Sequence, residues 1–174
     1  MIIALTGFMA SGKSTFGRAA AQILGWKFID LDDCITERYG SVPEIFAQGG
    51  EALFRVYESE VLSQQLEAEG DILLALGGGT ILSRENLNLL RKNAGIIWLD
   101  TSFDIIMSEL SGAERPLVKE KSADEIRALY DLRRPIYSSA ADVTFVVDDT
   151  DYDAVISRLA ETVSKMADRP FRRP

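Results

Sequence analysis

The chain has 174 residues, of which 47% are apolar and 26% are charged, and this fits one globular domain. Its formal net charge of −8 disfavours a partner along which many phosphates must be neutralised, so no nucleic acid is expected. Histidine is absent and Cys34 is the single cysteine, which excludes Ser/His/Asp and Cys/His nucleophiles, histidine-bearing zinc sites and an intramolecular disulfide.

The hydropathy pattern gives no reason to expect a membrane partner. No apolar run approaches the roughly 20 residues that a spanning helix needs. The N-terminal segment MIIALTGF carries no basic leader. We therefore expect a cytoplasmic protein with a single domain over residues 1–174.

Short apolar runs alternate with longer amphipathic stretches along the chain. Each apolar run is too short for a helix and fits a buried parallel strand. The predicted strands are 2–6, 27–30, 72–76, 95–99 and 143–147. The alternation predicts an α/β fold with a five-stranded parallel sheet, helices on both faces, and a ligand site beyond the carboxyl ends of the strands.

Capping patterns predict where three of the intervening helices begin. In each pattern a hydroxyl residue precedes an acidic residue by three positions, so that side chain and backbone can satisfy each other. The pairs are Ser41 with Glu44, Thr101 with Asp104, and Ser122 with Glu125.

A phosphate-binding loop follows the first predicted strand. Residues 7–14 read GFMASGKS and match G-x-x-x-x-G-K-[ST], with a helix predicted over 15–24. In such a loop, backbone N–H groups and the helix N-terminus hold phosphates, Lys13 reaches the β- and γ-phosphates, and Ser14 ligates Mg²⁺. A glycine-rich turn without a ligand is the alternative, which the agreement between motif and context disfavours. The residues expected to contact ATP here are Gly7, Ala10, Ser11, Gly12, Lys13, Ser14 and Thr15.

Acidic residues follow the second predicted strand at the edge where the site should lie. We assign Asp30 to Mg²⁺ through water, and Asp32 to the hydroxyl of the phosphoryl acceptor. Asp33 is expected in the first turn of the next helix, where the helix dipole favours it. The alternative is that all these carboxylates only cap a helix over 34–39.

An ordered set of motifs from Ile2 to about Val147 resembles the shikimate kinase family. Apart from the phosphate loop, each motif alone is weak, but the set is specific. The motifs are the loop at 7–15, FIDLD at 28–32, E-x-L-F-R at 51–55, GGG at 77–79, RPL at 115–117 and RRPIY at 133–137.

The resemblance implies an ATP-dependent kinase that phosphorylates the 3-hydroxyl of shikimate in the chorismate route to aromatic amino acids. It also implies a P-loop NTPase fold like that of nucleoside monophosphate kinases. The substrate-binding segment would be about 31–60 and a lid about 111–121. Mg²⁺ would be the cofactor, ATP and shikimate the binding partners, and the protein a monomer.

Carried over by position, the resemblance implies that Asp32 accepts the hydroxyl proton and that Arg55 and Arg133 grip the shikimate carboxylate. A planar guanidinium can bind a carboxylate through two parallel hydrogen bonds. For Arg55, the alternative is a helix-surface pair with Glu51 or Glu58.

For Arg133, the neighbouring Arg134 is an alternative, although Pro135 sets the motif in the register that favours Arg133.

The resemblance assigns further acceptor contacts. Gly77, Gly78 and Gly79 would bring backbone N–H groups close to shikimate and the transferring phosphate, and a flexible turn is the alternative. Phe46 and Phe54 would wall the substrate ring, although aromatic residues at helical spacing usually belong to a core. Arg115 would move with the lid onto ATP and stabilise the charge of the transferring group.

The chain departs from the family where arginines often pack on adenine. It has Ser108-Glu109-Leu110 before the lid and an acidic stretch over 148–153 after the last strand. Three rival functions remain: a gluconate or nucleoside monophosphate kinase, a signalling switch, and a regulatory protein without catalysis. A signalling switch is disfavoured because the sequence has no Asn-Lys-x-Asp motif, which reads guanine. The regulatory alternative is disfavoured because Lys13, Ser14, Asp30 and Asp32 are all present.

Overall fold

A computed structural model describes residues 1–111, 122–148 and 151–168. The strands are β1 (Ile2–Thr6), β2 (Lys27–Asp30), β3 (Ile72–Ala75), β4 (Gly95–Thr101) and β5 (Val143–Val147). They form one five-stranded sheet in the order β2-β3-β1-β4-β5, and every neighbouring pair is parallel. The predicted parallel sheet is therefore confirmed, with β4 two residues longer than expected.

Helices connect the strands and cover both faces of the sheet. They are α1 (Lys13–Leu24), α2 (Leu31–Tyr39), α3 (Val42–Leu66), α4 (Arg84–Asn93), α5 (Phe103–Ser111), α6 (Ala123–Ala140) and α7 (Tyr152–Ala167), with a 3-10 turn at Thr80–Leu82. Within the described ranges, no helix combines the length and the hydrophobicity that crossing a membrane requires. The predicted lid, with Arg115, lies outside the described residues except for Ser111.

The central strand shows how the two cores arise. Alternate side chains of a strand point to opposite faces of the sheet. Ile3 and Leu5 pack with Leu159 of α7 in one core cluster. Ala4 packs with Leu62 of α3 in the other. Both faces of the sheet are therefore buried under helices, as the apolar runs predict.

Two of the three predicted helix starts are correct. Ser41 and Glu44 form a capping box, and so do Ser122 and Glu125. The prediction for Thr101 is wrong, because this residue pairs with β5 as the last residue of β4. The next residue is Ser102, and its hydroxyl accepts a hydrogen bond from the Ile105 N–H at 3.4 Å.

A break in α3 separates its first two turns from the remainder. Gly49 has φ −155° and ψ 15°, and Gly50 has φ 66° and ψ −163°. A positive φ is strained for residues with a Cβ, so glycine at position 50 permits the turn. The break separates a short arm, 42–48, from a longer segment, 51–66, that carries most of the buried residues of the helix.

Candidate active site

The loop over residues 7–14 connects the central strand to α1, at the carboxyl edge of the sheet. Its backbone is left-handed at Ala10 (φ 58°) and Gly12 (φ 88°). A Cβ on Gly12 would lie 2.3 Å from the Phe16 ring, so only glycine fits there. The curled backbone and the following helix N-terminus form the kind of nest that binds phosphate groups.

Lys13 places its charge at this loop. Its side chain is 9% exposed, and the ammonium group donates hydrogen bonds to the carbonyl oxygens of Gly7 (3.0 Å) and Phe8 (2.8 Å). These bonds hold the ammonium beside the backbone that would surround the phosphates. A small movement of the side chain would transfer its donors to a nucleotide.

Thr101 fixes the loop from the neighbouring strand. Its buried hydroxyl donates a hydrogen bond of 2.9 Å to the carbonyl of Ser11, which lies 90 residues earlier in the chain. Sequence reasoning missed this contact because it interpreted Thr101 as a helix cap. A polar residue at the carboxyl end of a strand adjacent to β1 was the available signal.

Asp30 accepts hydrogen bonds from the phosphate loop and from the start of the next helix. Its Oδ2 accepts a hydrogen bond of 2.5 Å from the Ser14 hydroxyl, and its Oδ1 accepts one of 3.0 Å from the Asp32 N–H as the N-cap of α2. Asp33 lies in the first turn of α2, as predicted, 3.6 Å from Arg18. The helix begins at Leu31, so it is longer than the predicted 34–39.

Asp32 projects from the first turn of α2 into the cleft beside the loop. Protein atoms crowd its carboxyl, and this desolvation, reinforced by the charges of Asp30 and Glu58, raises its pKa to about 6. The charges of Lys13 and Arg55 oppose the rise without cancelling it. Because the side chain still reaches solvent along the cleft, an acceptor hydroxyl could approach it. A carboxyl with this pKa can gain or lose a proton near neutral pH.

The glycine run 77–79 follows β3, and each glycine lies against a different part of the site. A Cβ on Gly77 would lie 3.0 Å from Asp32 Oδ1, 2.9 Å from Glu58 Oε1 and 3.1 Å from Thr80 Oγ1. Glycine at position 77 therefore leaves space for the carboxylate assigned to the acceptor.

Gly78 and Gly79 lie against the phosphate loop and the arginine respectively. A Cβ on Gly78 would lie 3.6 Å from Gly7 O and from Met9 N, which is an ordinary contact distance. A Cβ on Gly79 would lie 2.6 Å from Arg55 Nη2, which is too close. The run thus brings the phosphate loop, Asp32 and Arg55 together around one turn of backbone.

Arg55 is held by carboxylates of its own helix. It is 2.8 Å from Glu58 and 3.0 Å from Glu51, so the helical pairing that we considered as an alternative is present. The same guanidinium faces Gly79 and the cleft, so the pairing also orients it toward the predicted substrate site. Its ring contact with Phe54, at 5.5 Å, adds a second constraint.

Glu58 is a site residue that sequence reasoning considered only as a surface partner. Its side chain is 1% exposed, and Oε1 accepts a hydrogen bond of 2.6 Å from the Thr80 hydroxyl. The signal was its helical position, because Glu58 falls on the same face as the buried residues Phe54, Val61 and Leu62. An acidic residue on an apolar face needs partners, and here they are Arg55 and Thr80.

The two predicted aromatic residues lie on opposite sides of the break in α3. Phe54 is buried, whereas Phe46 is 38% exposed, and their ring centroids are 5.9 Å apart. Phe54 therefore belongs to the core, and its ring also contacts Phe46 and Arg55. Phe46 is open enough to contact a ligand.

The two adjacent arginines of α6 have different surroundings. Arg134 forms an ion pair of 2.5 Å with Asp100 and lies 5.6 Å from the ring of Trp98. Arg133 is half-buried and interacts with the hydroxyl of Tyr137 on the side of the glycine run. Arg133 is therefore the one of the two beside the predicted acceptor site.

The two segments that depart from the family meet beside the phosphate loop. The Tyr152 hydroxyl donates a hydrogen bond of 2.5 Å to Glu109, and its ring centroid is 5.3 Å from that of Phe16. This pair borders a cavity of about 50 Å³ that Ala10 and Gly12 also line. An acidic and an aromatic side chain thus stand where the family often has arginines.

Comparison with known proteins gives a consistent result. The sequence model for shikimate kinase matches residues 9–164. A shikimate kinase of Streptococcus thermophilus is 37% identical over 83% of this chain and 90% of its own length. One of Salinibacter ruber is 36% identical over 97% of this chain and 87% of its own length.

Solved structures agree with the sequence comparison. A shikimate kinase from Acinetobacter baumannii in complex with shikimate has a TM-score of 0.86 and 28% identity, covering 97% of this chain and 95% of the other. One from Aquifex aeolicus has a TM-score of 0.80 and 35% identity, covering 96% and 98%. A deoxyadenosine kinase from M. mycoides, with a TM-score of 0.63 and 18% identity over 95% and 100%, shares the fold alone.

Proposed function

This chain belongs to the shikimate kinase family, and from that membership we propose how its residues bind the two substrates and transfer the phosphoryl group. It is an ATP-dependent kinase that converts shikimate to shikimate 3-phosphate with release of ADP. The observation that carries the residue assignment is the glycine run, around which the phosphate loop, Asp32 and Arg55 converge.

ATP would bind with its phosphates in the loop 7–14. The buried Lys13 would exchange its bonds to the carbonyls of Gly7 and Phe8 for bonds to phosphate oxygens. The left-handed backbone at Gly12 supports this role, because it turns the loop toward the N-terminus of α1.

Mg²⁺ would be held by the hydroxyl of Ser14 and, through water, by the carboxylate of Asp30. Their separation of 2.5 Å supports the fit, because Mg²⁺ prefers oxygen ligands and binds kinases through one or two carboxylates together with phosphates. Among the described ranges, no group of three or more His, Cys, Asp or Glu residues is placed to hold a metal ion. When bound, the ion neutralises charge on the β- and γ-phosphate oxygens.

Shikimate would lie between the glycine run and the Phe46 arm of α3. Arg55 and Arg133 would bind its carboxylate, and Asp32 would accept a hydrogen bond from the reacting hydroxyl. The fixed position of Arg55 between Glu58 and Gly79 supports its role, because less side-chain freedom is then lost on binding.

Transfer would proceed by in-line attack of the acceptor oxygen on the γ-phosphorus, with Asp32 taking the hydroxyl proton. Phosphoryl transfer needs little covalent chemistry from the protein, so positioning and charge stabilisation supply most of the acceleration. Arg115 is assigned from the RPL motif to charge stabilisation, and an Arg115→Ala variant should lose turnover more than affinity for shikimate.

We also propose a cytoplasmic monomer. The acceptor and nucleotide groups named above all come from one chain, so no second copy is needed to complete the site. Sedimentation of the purified protein with and without both substrates would test the monomer.

The decisive experiment measures ADP release with MgATP and, in parallel, shikimate, gluconate, a set of nucleoside monophosphates, or no acceptor. We expect release only with shikimate, together with a product whose phosphate is on the 3-hydroxyl. Turnover with gluconate or a nucleoside monophosphate, but not with shikimate, would overturn the proposed acceptor.

A further inference from the structure

Tyr137 on α6 is a buried residue that none of the motif roles above requires. Its side chain is 1% exposed, and its ring stacks on Trp98 with centroids 6.3 Å apart. The hydroxyl donates a hydrogen bond of 2.6 Å to the carbonyl oxygen of Gly78, in the middle of the glycine run. The ring contact explains its burial, but the hydroxyl reaches the backbone of the site.

The bond to Gly78 orients a peptide of the acceptor site. The described residues contain no cis peptide bond, so the N–H of Gly79 points away from the Gly78 carbonyl. On its other side, Gly78 lies against the phosphate-loop backbone at Gly7 and Met9. The Gly78–Gly79 peptide is thus held between α6 and the loop, with the direction of its N–H set by one hydroxyl.

The same hydroxyl interacts with Arg133, one helical turn before Tyr137. Burial raises the pKa of Tyr137, and the Arg133 charge opposes the rise, so the hydroxyl keeps its proton at neutral pH. Since the hydroxyl proton goes to Gly78 and a guanidinium can only donate, any bond from Arg133 must be to the hydroxyl oxygen. One atom therefore joins two groups that face the acceptor.

We propose that Tyr137 is a positioning residue for shikimate, whose hydroxyl fixes the Gly78–Gly79 peptide and the Arg133 guanidinium in one arrangement. The inference rests on the proposed role of Arg133 in binding the shikimate carboxylate. Its effect should appear mainly in affinity for shikimate, because Arg133 is the group assigned to the shikimate carboxylate.

The test compares Tyr137→Phe with the native protein. The substitution keeps the ring and its contact with Trp98 and removes only the hydroxyl. Calorimetric titration should give a Kd for shikimate about tenfold higher, the size of effect that one lost hydrogen bond can produce. The KM for ATP should stay within about twofold and kcat within about threefold, because binding rather than chemistry is affected.

Tyr130→Phe is the matched control. Tyr130 lies on the same helix, is 6% exposed, and donates an equivalent bond of 2.9 Å to the carbonyl of Thr101. It should lower the melting temperature about as much as Tyr137→Phe while leaving the Kd for shikimate unchanged. An equal loss of shikimate affinity in both variants would reduce the role of Tyr137 to general stability and overturn the proposal.

A double-mutant cycle with Arg133→Ala tests the coupling. If Tyr137 acts through Arg133, the double variant should lose less binding free energy for shikimate than the sum of the losses in the two single variants. Strict additivity, or an unchanged Kd in Tyr137→Phe, overturns the inference. If Arg133→Ala itself leaves shikimate affinity unchanged, the proposed carboxylate site fails, which is a distinct result.

Discussion

The guanidinium of Arg55 occupies the space in which a side chain at Gly79 would lie, with Nη2 only 2.6 Å from a Cβ on that residue. The backbone does not require glycine here, because φ is −109°, an angle that other residues adopt. Glycine is needed at position 79 because of its neighbour. Two features therefore fix the position of Arg55: its ion pairs with Glu51 and Glu58, and the absence of a side chain at Gly79.

Gly79→Ala should accordingly displace Arg55 and raise the KM for shikimate about tenfold or more, the equivalent of about 1.4 kcal/mol. Gly78→Ala is the matched comparison, since its Cβ would meet only ordinary contacts at 3.6 Å. Steady-state kinetics with varied shikimate would give both values. An equal effect of the two substitutions would mean that Arg55 does not mediate the loss.

Asp32→Ala should lower kcat by about 10²- to 10⁴-fold, the usual contribution of a positioned general base. Asp33→Ala provides the control. Asp33 is the exposed neighbour of Asp32 in the same helical turn, and its carboxylate faces Arg18. That variant should keep nearly native turnover. Near-native kcat in Asp32→Ala, with the fold verified by circular dichroism, would refute the assignment of the base.

The raised pKa of Asp32 predicts a pH profile. Because Asp32 must be ionised to accept the hydroxyl proton, kcat/KM should be flat above its pKa of about 6. Below that pH it should fall by about tenfold per unit. The profile should be measured at saturating MgATP. A fall in kcat/KM that begins only near pH 4 would contradict the raised pKa of Asp32.

The same shift has a consequence for stability whose sign is opposite to that of an ion-paired carboxylate. An unfolded aspartate titrates near pH 3.9, so between about pH 4 and pH 6 the folded state holds a proton that the unfolded state has lost. Asp32 should therefore reduce the free energy of unfolding as pH rises through this window. Urea unfolding should give the native protein and Asp32→Asn similar free energies of unfolding near pH 4. Near pH 6 and above, the variant should have the higher free energy of unfolding.

Asp30→Asn separates the two roles of Asp30. Asparagine is as good an N-cap as aspartate, so α2 should keep its start and the melting temperature should change little. The lost charge should raise the Mg²⁺ concentration needed for half-maximal activity. An Asp30→Ala variant should lose both properties, including about 1 kcal/mol of stability from the missing cap. An unchanged Mg²⁺ requirement in Asp30→Asn would rule out the metal role.

The fold followed from sequence where one physical cause dominated. Runs such as 2–6 and 72–76 predicted strands because a parallel sheet covered on both faces buries nearly every side chain of its central strands. Thr101 shows the limit of local reasoning. Its spacing to Asp104 satisfied a capping pattern, but pairing with β5 and a bond to Ser11 decided its conformation.

The positions of Lys13, Ser14 and Asp32 at one edge of the sheet were predictable, because motifs mark them in the sequence, and their chemical roles stay predictions. Glu58 and Tyr137 were not recognised, because they act on other protein groups and their spacing resembles that of ordinary helix residues. Only the three-dimensional arrangement shows that Glu58 pairs with Arg55 and that the Tyr137 hydroxyl is bonded to the glycine run.

The position of β1 in the sheet has a consequence for biosynthesis. The loop 7–14 is made before β3 and β4, but its strand lies between them in the sheet, and Ser11 is bonded to Thr101. The nucleotide site is therefore completed only after most of the chain has left the ribosome. A fragment 1–94 contains the whole motif, yet it should not retain an immobilised ATP analogue, and a nascent chain should acquire nucleotide protection against proteolysis only once β4 has emerged.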